Sequence, residues 1–255
     1  MMNWKLRLTV FIGGASVMIV ELVGSRLVAP FLGSSLIVWT TLIGVILGAL
    51  SLGYWLGGRL ADNKATISRF GLLILASAVT VAAVLWLSLY LGAVSRFALD
   101  WLGVAGSTVL CTLYLFALPS VVLGMVSPYA LKLSLKTTDF TGRIAGSLYA
   151  LSTIGSIVGT FAAGFWLIPS LGSFKTLAFV ALVLVLSSLM FLRRWPAALV
   201  LVAVLYTGAT TLLLPEKFFA YQSVKAEWES GYNRLFLVSG SDRETNRPII
   251  SLMSG

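Results

Sequence analysis

The chain has 255 residues, of which 58% are hydrophobic and 11% charged, and its mean hydropathy is +0.98. Soluble domains carry about 25% charged residues, so a water-soluble globule is excluded and the lipid bilayer becomes the expected surroundings of an integral membrane protein. The formal charge of +9 then marks membrane topology and not a nucleic-acid partner, while the single cysteine, Cys111, and the absence of histidine remove disulfides, cysteine-cluster metal sites and the usual general base.

A helical crossing of a ~30 Å hydrocarbon core needs about 20 mostly apolar residues. Divided where charges, Pro and Gly interrupt such runs, the chain gives seven segments: 8–32, 36–56, 70–94, 104–125, 144–168, 171–192 and 197–214. The expected class is an all-α polytopic membrane protein, with residues 1–214 as the helical domain and 215–255 as a polar tail. Trp4, Trp39, Trp55, Trp101, Trp166 and Trp195 fall near segment ends, where an amphipathic ring gains from the headgroup region. Lys5 and Arg7 precede the first segment as they would in a signal peptide, but the run is too long, contains Glu21 and lacks a small-x-small cleavage site, so an uncleaved first helix is expected.

Alternate connections differ in basic residues. Lys5, Arg7, Arg59, Lys64, Arg69, Lys132, Lys136, Arg143, Arg193 and Arg194 lie on one side, and only Arg96 and Lys175 on the other. The positive-inside rule puts the first set, and the N-terminus, in the cytoplasm of a cell membrane, and seven crossings would leave the tail outside.

In the first segment, Glu21 and Arg26 are the charges deep in a predicted span, each costing ~2.5–3.5 kcal/mol at a helix centre. Five residues separate them by about 140° round a helix, so each is expected to find its compensation elsewhere, Arg26 by reaching the interface. Two readings of Glu21 stand: a packing device, or a proton or cation relay. Gly44-x-x-x-Gly48, Gly53-x-x-x-Gly57 and Gly155-x-x-x-Gly159 put small residues on helix stripes, as packing seams do. After the second segment, Arg59 and Asp62 form a candidate latch between helices two and three, with Asp62 accepting from Arg59 or capping a helix N-terminus. Pro119 and Pro128 predict a fourth helix that kinks and ends near there.

These pieces resemble the membrane region of the fused major-facilitator/spermidine-synthase family. The stretches that carry the resemblance are Gly14-Ala15-Ser16 with Val20 through Arg26, Leu32-Gly33-Ser34-Ser35, Gly44 to Asp62 with its facilitator-like Gly-x-Leu-Ala-Asp ending, Leu118-Pro119-Ser120 with Gly124 and Pro128, and Ser147 to Gly155 running on to Phe165 through Gly172. Ser152 stands where family members often carry Asn. The resemblance implies a facilitator-like half-bundle and an association with polyamine synthesis.

From Glu216 onward charges return. Residues 232–238 and 248–252 read as two short strands joined by a polar segment, a β-hairpin, and Glu229 to Asn233 resembles the opening of the small β-domain that precedes the catalytic domain of spermidine synthases. The chain holds neither a Gly-rich strand-to-helix turn for a nucleoside cofactor nor an acidic cluster for a polyamine, so no catalytic, cofactor-binding or metal-binding residue is expected in it. A lone hairpin is marginal and exposes its edges. Tyr232, Asn233, Leu235 and Leu237 are therefore expected to bind a partner: a synthase-like subunit, a second copy, or the remainder of a longer product. The expected function is a non-catalytic membrane module that anchors such a partner; the alternative is a small-solute or polyamine transporter working as a dimer. S-adenosylmethionine-type substrates are cytoplasmic, so an outside tail requires a partner without such a cofactor, or one span that does not cross.

Overall fold

The computed structural model describes residues 4–135, 141–192, 224–229, 234–241 and 248–254. Up to residue 192 it is nearly all helix. Helix α1 (Trp4–Leu32) is followed by α2 (Leu36–Lys64), whose first turn is capped by Ser35: its Oγ accepts from the Val38 amide at 3.4 Å. A third helical stretch runs through α3 (Ile67–Leu87), a 3-10 turn (Ser88–Tyr90), α4 (Leu91–Thr112), a π-turn (Leu113–Ala117), α5 (Leu118–Gly124) and α6 (Val126–Ser134). A fourth joins α7 (Thr141–Ala162), a π-turn (Ala163–Leu167) and α8 (Ile168–Leu189). These four stretches are long and apolar enough to cross a membrane.

The last two are not straight rods. At 1.5 Å per residue the 68-residue stretch would extend ~100 Å, yet Phe70 and Tyr129 stack at 5.8 Å. The reversal is at Gly103, whose φ of 63° and ψ of −174° lie where a residue without Cβ is at ease. Gly172, at φ 77° and ψ 168°, does the same in the fourth stretch. Thr9 Oγ1 and Ser187 Oγ share a buried hydrogen bond of 3.0 Å, and the neighbouring Phe11 abuts Gly155, so residues 155 and 187 flank the same part of α1. Each long stretch is thus two arms, 67–102 with 104–134, and 141–171 with 173–189.

The arms pack in a repeated pattern. On one side a Cβ on Gly53 would collide with the Val121 carbonyl, one on Gly57 would stand 2.6 Å from Met125 Cα, and one on Gly124 would stand 2.8 Å from the Leu50 carbonyl oxygen. On the other, Gly155 meets the Phe11 carbonyl, Gly159 approaches Ala15 Cα at 2.7 Å, and Gly14 meets the Ser152 carbonyl. Leu50, Gly53 and Gly57 stand to Val121, Gly124 and Met125 as Ser152, Gly155 and Gly159 stand to Phe11, Gly14 and Ala15, with identical spacing in each set. The pair α3 and α8 closes the bundle. Residues 4–102 and 104–189 are therefore two three-arm repeats related by an internal pseudo-two-fold.

Both reversals and Gly33, the third positive-φ glycine at 79°, lie at one end of the bundle; Lys5, Lys64, Arg69 and Lys132 lie at the other. Trp4, Trp39, Trp55, Trp101 and Trp166 are all exposed. The interior is aliphatic with Phe70, Phe116 and Tyr129 fully buried, and Ile43, Leu47, Ile154, Val158 and Phe161 on the outside give the apolar surface that lipid requires.

Two expectations change, and one cannot be compared. The fourth helix does not end at Pro128: it continues to Ser134, because Pro128 stands in the first turn of α6, where an amide has no helical acceptor to lose. Pro119 follows a π-turn, the local widening that accommodates a missing N–H. The segment expected at 197–214 lies outside the described residues, as does Trp195. In the tail, β1 (Val224–Glu229), β2 (Arg234–Ser241) and β3 (Pro248–Ser254) form an antiparallel sheet in the order β1-β2-β3, one strand more than a hairpin, with an irregularity between Val224 and Ala226.

Candidate functional site

The basic end of the bundle is tied together by side chains from four arms. The ring of Tyr129, fully buried and stacked on Phe70, brings its hydroxyl to the link between α2 and α3, where it accepts from the Thr66 amide at 3.2 Å and donates to the Lys64 carbonyl at 3.4 Å. Thr66 Oγ1 caps α3 by accepting from the Arg69 amide at 3.3 Å, and the Arg69 guanidinium donates to the Lys64 carbonyl at 3.2 Å. Lys5 Nζ donates to the Met190 carbonyl at 3.4 Å. Phe191 meets Phe70 edge-on at 5.2 Å.

Asp62 pairs with Lys132 at 2.6 Å, joining α2 to α6, while the Arg59 guanidinium lies over the Trp55 ring at 4.6 Å. The expected latch partners are therefore exchanged: neither the Arg59–Asp62 pair nor an Asp62 cap forms. Arg59 and Trp55 are four residues apart and share a helix face, and Thr66 already occupies the cap of α3. Tyr129, the residue that fastens the link, has no signature in sequence beyond an aromatic in an apolar run. Its role depends on a contact across 65 residues.

Glu21 sits near the middle of α1, partly buried. One turn on, a Cβ at Gly24 would stand 3.2 Å from the Phe116 ring, so α1 lies close against the π-turn of the 104–134 arm at this depth. Among the described residues Glu21 has no hydrogen-bond or ion-pair partner. Arg26, also partly buried, is farther toward the glycine-turn end. Beside them, Ser25 Oγ donates to the Leu22 carbonyl at 2.8 Å. Thr112 Oγ1, fully buried, lacks a hydrogen-bond partner among the described residues, an uncommon condition for a buried hydroxyl.

Of the glycine stripes, Gly53, Gly57, Gly155 and Gly159 are seams inside the chain, whereas Gly44 and Gly48 face open space with nothing within 4 Å. In the tail, Leu235 stands in register between Trp228 and Ser254, and Leu237 between Ala226 and Leu252; Tyr232 and Asn233 lie outside the described residues. The arrangement thus offers fixed ties at the basic end, one partly buried carboxylate on α1 able to hold a proton or a cation, and a sheet in the tail. Among the described residues no group of three or more Cys, Asp or Glu gathers, and Cys111 is free and buried. No family model, curated protein or solved structure matches the chain.

Proposed function

We propose that the chain is a non-catalytic integral membrane module of a spermidine-synthase-like system, a facilitator-like half-bundle that anchors a partner subunit through its tail. The observation that carries this reading is the sheet of the tail, in which β2 is paired on both sides while β1 and β3 each pair on one side only among the described residues. An open strand edge is a template for another strand. The order of the family-like stretches along the chain supports the choice of system. In this reading the two arms on either side of Gly103, the two on either side of Gly172, α1, α2 and residues 197–214 are seven crossings, with the basic end in the cytoplasm of a cell membrane. The gathering of Lys5, Lys64, Arg69 and Lys132 at one end and of the glycine turns at the other supports that orientation.

The test is co-purification of the full chain from native membranes, with captured chains sequenced. Capture of a synthase-like subunit that lacks a nucleoside-cofactor site, lost on Ile250→Pro in β3, is the expected result, because proline withdraws an edge donor and disfavours strand pairing. Capture of no such subunit, or capture unaffected by the proline, contradicts the reading.

A further inference from the structure

Glu21 is the residue whose presence the fold explains least. The internal repeat makes this concrete: the register that matches Phe11 with Val121 and Gly14 with Gly124 matches Glu21 with Leu131. Leu131 is packed against the core, so the same position in the other half of the bundle is built with an apolar side chain. A carboxylate is not a packing requirement there, and inside a membrane span it costs up to ~2.5–3.5 kcal/mol, the value at a helix centre. A structural carboxylate would be expected to recover that cost from hydrogen bonds, and Glu21 has none among the described residues.

Its surroundings are irregular in a way that supplies oxygen. Gly13 lies beside Val126 and Gly24 beside Phe116, which sets Glu21 level with Pro119 on the 104–134 arm. Phe11 lies beside Gly155 and Ala15 beside Gly159; carried on along α1, this sets Ile19 level with Ala163 and Glu21 level with Phe165. Glu21 is thus at the depth of both π-turns, Leu113–Ala117 and Ala163–Leu167, each followed by a proline, Pro119 or Pro169. A proline has no N–H to give, so one carbonyl in the turn before it loses its helical donor; π-turns of this kind recur at functional sites.

We propose that Glu21 is the binding site of a monovalent cation, an inorganic ion or a protonated primary amine, held by the carboxylate with neutral oxygens of the adjoining π-turns. A single carboxylate balances one positive charge, and Asp62, the acid next in sequence, is at the basic end of the bundle with Lys132. This inference concerns α1 and its neighbours and stands whether or not the tail anchors a partner.

The experiment is carbodiimide modification of the full chain in lipid nanodiscs. Dicyclohexylcarbodiimide partitions into apolar surroundings and modifies carboxyl groups there, and peptide mass spectrometry reads the label at Glu21. Sodium, potassium and methylammonium chlorides are the probes, with ionic strength held by choline chloride. The expected result is labelling of Glu21 that at least one probe suppresses, to about a tenth when the cation is at ten times its Kd, by mass action. Suppression by sodium or potassium alone assigns an inorganic ion, and suppression by methylammonium an amine. Labelling at an unchanged rate with all three, or no labelling of Glu21 in any condition, overturns the proposal. Glu21→Gln serves as the blank; should it not fold, the peptide assignment on the unaltered chain suffices.

Discussion

Glycine has two separate duties in this chain, and substitution distinguishes them. At Gly155 an added Cβ would meet the Phe11 carbonyl, a backbone atom that cannot step aside, so α1 and α7 would have to separate. Gly155→Ala is expected to destabilise the bundle by about 1–3 kcal/mol, the usual range for overpacking, read as a lower midpoint of thermal unfolding in detergent. Gly44→Ala faces open space and removes a flexible residue from a helix interior, so its midpoint should be unchanged or raised, by up to ~1 kcal/mol of stability. The two stripes are the same motif in sequence. Which one is a seam depends on what lies opposite, and periodicity within a helix does not carry that information. Glu21 is the converse case: its cost in lipid is legible from residue type and depth alone, but its lack of a partner among the described residues is a property of the assembled arms.

At the scale of elements, the link between α2 and α3 is held by a hydroxyl from α6. Tyr129→Phe keeps the ring that stacks on Phe70 and removes two hydrogen bonds, leaving the Thr66 amide without its acceptor from α6. A cost of about 1–3 kcal/mol follows from net values of 0.5–1.5 kcal/mol per bond, with faster amide exchange expected at Thr66. Unchanged exchange there would show that the hydroxyl does not hold the link. Asp62→Asn should cost under ~1 kcal/mol, because both partners of its ion pair are substantially exposed, at 47% and 70%; a larger loss, or one insensitive to salt, would contradict a surface pair. The start of α2 at residue 36 was legible from the apolar run, whereas α3 begins at Ile67, three residues before the expected 70, because the Thr66 hydroxyl caps it. Helix ends were less legible: Pro128 reads as a terminator, and only the π-turn and the break at Met125 put it in a first turn. Strand β1 was readable from Val224, Ala226 and Trp228 alternating with Lys225, Glu227 and Glu229, a period of two that the charge of the segment concealed.

For the molecule as a whole, the apolar runs in the sequence disclosed the membrane class and the breaks near Gly33, Gly103 and Gly172. The pairing of arms was not legible there, because lipid supplies no hydrophobic drive to bring one helix against another and contact is decided by shape. The internal two-fold arises from that shape: the Gly53/Gly57 seam against Gly124 repeats as the Gly155/Gly159 seam against Gly14, with little similarity of sequence around them. The repeat brings the basic links to one end and the glycine turns to the other, and a bundle so arranged has a single orientation consistent with the positive-inside rule. The most direct test places one cysteine at exposed Ser34 or at exposed Asn63, in a Cys111→Ser background, and treats intact cells with a membrane-impermeant maleimide. The account predicts labelling at position 34 in intact cells and at position 63 only after permeabilisation; labelling of both positions from the same side would contradict it.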